Sequence, residues 1–247
     1  MKTLITLILA PLILAALVRA EDPAPGKQVE QELKVGDKTI PYLLYLPKEY
    51  KKESKSPFML FLHGRGESSG PLSIVKKWGP PRLVDHGQDS PYIIASPQCP
   101  RQESWAQPGQ QELLVKLIEH IEKEYSVDQT KVYLTGLSMG GYGSWRLAAD
   151  HPELFAAVVP ICGGGKTEDA SKLVDLPIWV WHGTEDTAVP LQKSIDMVEA
   201  IKKAGGTKIR LTTVEHVGHN SWEAAYATPG LYEWLDKQSK NTEGHHH

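Results

Sequence analysis

A chain of 247 residues with 40% hydrophobic and 23% charged residues has the size and mix of one well-cored domain, which excludes a disordered or low-complexity protein. Its net charge of −3 offers no basic surface, so neither nucleic acid nor anionic lipid is expected as a partner. The first twenty residues stand apart. Lys2 is followed by an almost unbroken apolar run from Leu4 to Val18, then by the small-residue cleavage signal Val18-Arg19-Ala20 before Glu21-Asp22-Pro23. A run this short, so flanked, reads as a secretory signal over residues 1–20, with a retained anchor as the alternative. A secreted or periplasmic protein without stable membrane association is therefore expected. Cleavage would remove Lys2 and Arg19 and leave 25 basic against 30 acidic residues.

Residues 21–27 carry Pro and Gly and read as a flexible lead, 28–238 as a single domain, and 239–247 as a polar tail. The closing His245–His247 run is set aside as a tag remnant. Gln28 to Val35, Gly36-Asp37 and Lys38 to Leu46 form a hairpin pattern, with Pro41 suited to an edge strand. Short apolar runs follow at Phe58–Leu62, Tyr92–Ala95, Val132–Thr135, Ala156–Ile161, Ile178–Trp181 and Ile209–Val214, as expected of strands buried on both faces. Helical periods lie between them. Leu113, Leu114, Leu117, Ile118 and Ile121 make one stripe, and Leu191, Ile195, Val198 and Ile201 another. A further helix follows Ser138, and the last covers Pro229 to Lys237. Strands alternating with helices imply an α/β fold with a mostly parallel central sheet covered on both faces. No insertion is large enough for a lid domain.

Three signatures fall at the carboxyl ends of three strands, where open α/β sheets place their sites. Gly136-Leu137-Ser138-Met139-Gly140 is a G-x-S-x-G turn directly between strand and helix, the context that strains and exposes a nucleophilic serine. After Ile178–Trp181 comes His182-Gly183-Thr184-Glu185-Asp186, where Asp186 can orient an imidazole and Glu185 is its neighbouring alternative. His182 is expected to be a buried structural residue. After the last strand, His216-Val217-Gly218-His219 offers two bases. His219 is preferred because Gly218 gives its loop backbone freedom and Ser221 can cap a following helix; His216 is the alternative. The order Ser138, Asp186, His219 completes a nucleophile–acid–base set for acyl transfer. Backbone donors for an oxyanion are expected at Met139 and, in the loop His63-Gly64-Arg65-Gly66-Glu67, at Arg65. His63 is expected to pack at its strand end. The Arg65 side chain reads equally as a solvated charge or a substrate contact. No metal or other cofactor is expected.

The HGRGE segment from His63, GLSMGG from Gly136, HGTEDTAVP from His182 and GHNSW from Gly218 resemble the α/β-hydrolase superfamily, over about Gln28 to Leu235. Within it the chain is similar to the dienelactone-hydrolase-like and phospholipase/carboxylesterase-like groups, and to secreted feruloyl and polyhydroxybutyrate-depolymerase-type esterases. The resemblance implies that Arg65 and Met139 form the oxyanion hole and that Ser138, Asp186 and His219 are nucleophile, acid and base. Dienelactone hydrolases carry a cysteine where this chain has Ser138, so lactone-diene chemistry is not expected.

A secreted serine carboxylesterase follows, acting on a small-molecule or polymer-linked ester, with feruloyl- or acetyl-carbohydrate esters first. Trp105 and Trp222 are expected as aromatic walls of a shallow cleft. The alternatives are a serine peptidase of prolyl-oligopeptidase type, which would need a large extra domain, and a non-catalytic binding protein of the same fold. Cys99 and Cys162 should end strands three positions apart, roughly 14 Å, too far for a disulfide. Two free thiols are expected.

Overall fold

Runs of Val, Ile, Leu and Phe that are too apolar to face water on either side end up in the middle of one sheet. The computed structural model, which describes residues 23–240, has eight strands. They are β1 (Gln28–Val35), β2 (Lys38–Tyr45), β3 (Ser56–Leu62), β4 (Ile93–Pro97), β5 (Val127–Leu137), β6 (Ala157–Ile161), β7 (Ile178–Gly183) and β8 (Ile209–Val214). Their order across the sheet is β1-β2-β4-β3-β5-β6-β7-β8. The hairpin β1–β2 and the β2–β4 pair are antiparallel, and every neighbour from β4 to β8 is parallel. The fold is thus the mostly parallel α/β-hydrolase arrangement.

Side chains alternate across the sheet, so each strand feeds two cores. Leu44, Leu60, Leu134 and Val180 meet α2 (Pro108–Glu124), α3 (Met139–Asp150) and α4 (Gln192–Lys203) through Leu117, Leu147 and Met197. Leu43, Phe61, Tyr133 and Val159 face α1 (Gly79–Asp85), α5 (Trp222–Ala227) and α6 (Pro229–Asp236). Local chemistry marks the ends. Pro108 opens α2, where its missing N–H costs nothing, and Gly205, at φ 104°, turns the chain out of α4 after Lys202 and Lys203. Among the described residues no helix is long and apolar enough to cross a membrane.

Several expectations are corrected. Pro41 is in β2, the second strand, and not at the edge. Its carbonyl accepts the Gln98 N–H at 2.9 Å, so its missing N–H faces the β4 side, where pairing begins only at Tyr42. The lead is held from Pro23 onward: Pro23 is buried, and the Gly26 N–H donates to the Leu46 carbonyl at 2.9 Å. Packing also continues past 238, since Lys240 donates its backbone N–H to the Thr130 carbonyl at 2.8 Å and its Nζ to the Leu154 carbonyl at 3.0 Å. The signal reading over 1–20, residues 21–22 of the lead and the histidine run lie outside the described residues. Cys99 and Cys162, after β4 and β6, are both free and buried.

Candidate active site

The chain leaves β5 at Leu137 and enters α3 at Met139, and the single residue between them takes the whole turn. Ser138 has φ 54° and ψ −115°, a conformation L side chains rarely adopt. Two bonds hold it there: the Ser138 N–H donates to the Ile161 carbonyl at 2.9 Å, and the Ser138 carbonyl accepts from the Tyr142 N–H at 3.0 Å. The turn is this tight because Gly140 lets α3 press on the Leu62 carbonyl, which a Cβ at 140 would overlap.

β7 delivers Asp186 and β8 delivers His219 to the same end of the sheet. The Asp186 side chain is fully buried. Its Oδ1 accepts the Ala188 and Val189 N–H groups, each at 2.9 Å, and its Oδ2 accepts His219 Nδ1–H at 2.7 Å. Burial alone would raise the Asp186 pKa. The His219 and Val189 bonds, the His219 charge and the Ala188 bond outweigh it and hold the carboxyl below the ordinary value. An ionised carboxylate only accepts, so the His219 proton sits on Nδ1 and Nε2 is left to accept the Ser138 hydroxyl at 2.8 Å. A hydroxyl bonded to an imidazole that is itself anchored on a carboxylate is a hydroxyl prepared to lose its proton.

The alternatives pair with each other away from this line. His216, its side chain 88% exposed, lies 3.1 Å from Glu185 Oε1. The positive φ of the loop falls on His216, at 58°, and not on Gly218 as the sequence implied. Space for the loop comes instead from Gly183, where a Cβ would overlap the Val217 and Gly218 carbonyls. Ser221 does precede α5, but its side chain makes no cap bond. His182 is buried, bonded to Ser194 Oγ at 2.7 Å and the Val189 carbonyl at 2.8 Å, as a structural residue would be.

Met139 and Arg65 are each the first residue of a helical turn, α3 and the short 3-10 turn 65–67, so their N–H groups have no intrahelical partner. The Arg65 side chain is not a free charge. It donates to the Arg101 carbonyl at 3.0 Å and to the Glu103 carbonyl, clasping the loop that follows β4. Glu67 escaped the sequence reading because an acid after two glycines looks like a solvated turn. It is 3% exposed, with Oε2 3.3 Å from where a Gly64 Cβ would stand. Burial pushes its pKa up against Lys77, the Gly64 and Glu67 N–H groups and the Trp78 indole.

Trp105 is a correction. It has no exposed surface, and its indole N–H donates to the His63 carbonyl at 3.1 Å, so it pins the loop from below and cannot wall a cleft. Trp222 is beside the site but mostly buried: its ring stands edge-on to His219 at 5.5 Å and tilts against Trp78 at 5.7 Å.

His63 is 1% exposed, donates from Nδ1 to the Gly64 carbonyl at 2.6 Å and accepts the Cys99 N–H on Nε2 at 3.0 Å. Burial lowers its pKa to about 4, and Arg65 adds to the effect. The unfolded chain takes up this proton near 6.5, the folded one only near 4, so stability is lost as pH falls through that window. The expected loss is about 3 kcal/mol between pH 6.5 and 4. Urea titrations at several pH values should show a steeper decline for the wild type than for His63→Asn, and equal slopes would remove His63 as the cause.

The Esterase family model matches residues 36–234. A bifunctional acetylxylan esterase/xylanase of Neocallimastix patriciarum is 28% identical over 142 residues, 56% of this chain and 20% of that protein. A "Probable feruloyl esterase C" of Aspergillus niger is 25% identical over 191 residues, 74% of this chain and 68% of its own length. The crystal structure of a thermostable esterase superposes with TM-score 0.75 at 33% identity, over 86% of this chain and 63% of that one.

Proposed function

The chain belongs to the Esterase family, and we propose that it is an ester hydrolase, acting as a secreted serine carboxylesterase through an acyl-enzyme on Ser138. The observation that carries this is the unbroken Ser138–His219–Asp186 line, at 2.8 and 2.7 Å. His219 Nε2 takes the Ser138 proton as Oγ attacks the acyl carbon, then returns it to the departing alcohol. Asp186 keeps the imidazole in the required tautomer and offsets its positive charge. The Met139 and Arg65 N–H groups receive the oxyanion. Water then repeats the sequence on the acyl-enzyme, again with His219 as base.

Feruloyl- or acetyl-carbohydrate esters are the proposed substrates, supported by relatives described as feruloyl and acetylxylan esterases. The apolar run before Ala20 supports export, and no basic surface suggests a nucleic acid partner. Two measurements test the reading. A fluorophosphonate probe should label Ser138, and failure to label would refute the nucleophile. Methyl ferulate, acetyl-xylan, p-nitrophenyl acetate and a peptide p-nitroanilide should then be compared by kcat/KM. Faster turnover of the anilide than of every ester would favour a peptidase.

A further inference from the structure

The residue after β6 is forced into a second unusual conformation directly beneath the site. Cys162 has φ 39°, its N–H is fixed to the Trp181 carbonyl at 2.9 Å, and the Ser138 N–H is fixed one residue earlier, to Ile161. The turn places the thiol where the acyl-transfer chemistry has no use for it. Cys162 Sγ, an Asp186 carboxylate oxygen and a His219 ring nitrogen all lie within 4.8 Å of one another. Beside the thiol is Ser221 Oγ, fully buried, with the Cys162 sulfur as its neighbour and no oxygen or nitrogen partner. Thiolate, imidazole and carboxylate are the donor set that zinc and its thiophilic relatives prefer. Tetrahedral bonds of about 2.0–2.3 Å space donor atoms roughly 3.3–3.8 Å apart, so the widest spacing of the cluster need contract by about 1 Å, while the Asp186–His219 pair, at 2.7 Å, opens by roughly half an ångström and gives up its hydrogen bond. Ser221 Oγ, or a water, is then at hand for the fourth position.

We propose that Cys162 Sγ, His219 Nδ1 and Asp186 form an inhibitory site for one thiophilic divalent cation, with Zn²⁺ as the type. The cation enters past His219, whose side chain is 28% exposed, while Asp186 and Cys162 are closed to solvent. Binding breaks the S–H bond, and that proton leaves to solvent. The cation takes the Nδ1 lone pair, so the imidazole proton moves to Nε2. Protonated there, His219 can no longer accept the Ser138 hydroxyl proton, and acyl transfer stops. One proton is released per ion bound, so affinity should rise about tenfold per pH unit while the thiol remains protonated. The inhibition rests on the triad reading, but the site itself does not.

Co²⁺ is the direct probe, because a thiolate–cobalt bond gives a near-ultraviolet charge-transfer band that nitrogen ligands such as the His245–His247 run cannot give. The full chain should show this band, Zn²⁺ should abolish it, and Cys162→Ser should lack it. Zn²⁺ should also inhibit p-nitrophenyl acetate hydrolysis at least 30-fold more weakly in Cys162→Ser than in wild type, with the wild-type inhibition constant falling about tenfold from pH 7 to 8. If Cys162→Ser does not fold, Cys162→Gly suits the positive φ and serves in its place. No band, or a band unchanged in the variant, overturns the site. A band without any loss of activity overturns the inhibition. Fluorophosphonate labelling of the metal-free protein is independent of both, so failure of the triad reading is seen separately.

Discussion

Replacing Ser138 by alanine is expected to lower kcat for ester hydrolysis by about 10⁴ or more while leaving the fold intact. The side chain removed is a single hydroxyl whose partner is His219 Nε2 at 2.8 Å, so little packing is lost. The backbone strain at φ 54° is shared by serine and alanine, because both carry one Cβ and neither is branched. What disappears is the atom that forms the acyl-enzyme. Any residual rate would come from the oxyanion donors and from binding, which work on direct attack by water. Steady-state kinetics on p-nitrophenyl acetate, with circular dichroism and thermal melting as the fold control, make the measurement. A variant that melts normally and keeps a tenth of the wild-type rate would discard Ser138 as nucleophile.

The two loop histidines should separate almost as widely. His219→Ala removes the group between Ser138 and Asp186 and leaves the buried carboxylate to the Ala188 and Val189 N–H groups and to His182 Nε2, 3.2 Å from Oδ2. Turnover should fall by about 10³ or more. His216→Ala removes a side chain that is 88% exposed and paired with Glu185, a contact that solvent screens to little value. Its kcat/KM should stay within about tenfold of wild type. Both variants assayed on one ester decide the matter, and the reverse ranking would move the base to His216.

The Ser138–His219–Asp186 line is legible in the sequence because each member is announced by local chemistry: a G-x-S-x-G turn between strand and helix, and an acid and a histidine just past apolar runs. The reason for preferring His219 was only partly right, since the loop bends at His216 and finds its room at Gly183. Trp105 was misplaced because an indole's position in a loop says nothing about depth. Its fate was set by the His63 carbonyl, an acceptor brought near only by the fold. The stretch from Arg65 to Asp85 hid three helical turns. Gly79-Pro80-Pro81 looks like a breaker, yet prolines in a first turn forgo N–H groups that would have no helical partner anyway. β5 begins at Val127, five residues before the apolar run, because its polar start is paired only at Val127 with Ser56, across a register shift.

The Ser138–His219–Asp186 line also ties the proposed chemistry to the order in which the chain assembles. Ser138 and His219 are 81 residues apart, and Asp186 and His219 are 33 apart, so no short stretch of chain contains a working unit. On refolding from denaturant, the turns of α2 and α4 need only neighbours a few residues away. The Ser138–His219 bond must wait until β5, β6, β7 and β8 stand side by side, a set of long-range closures that topology makes slow. Helical signal is therefore expected to return before turnover does, and a collapsed chain with one strand out of place is expected to be silent. On the proposed mechanism, hydrolysis is a clock for the last strand to dock.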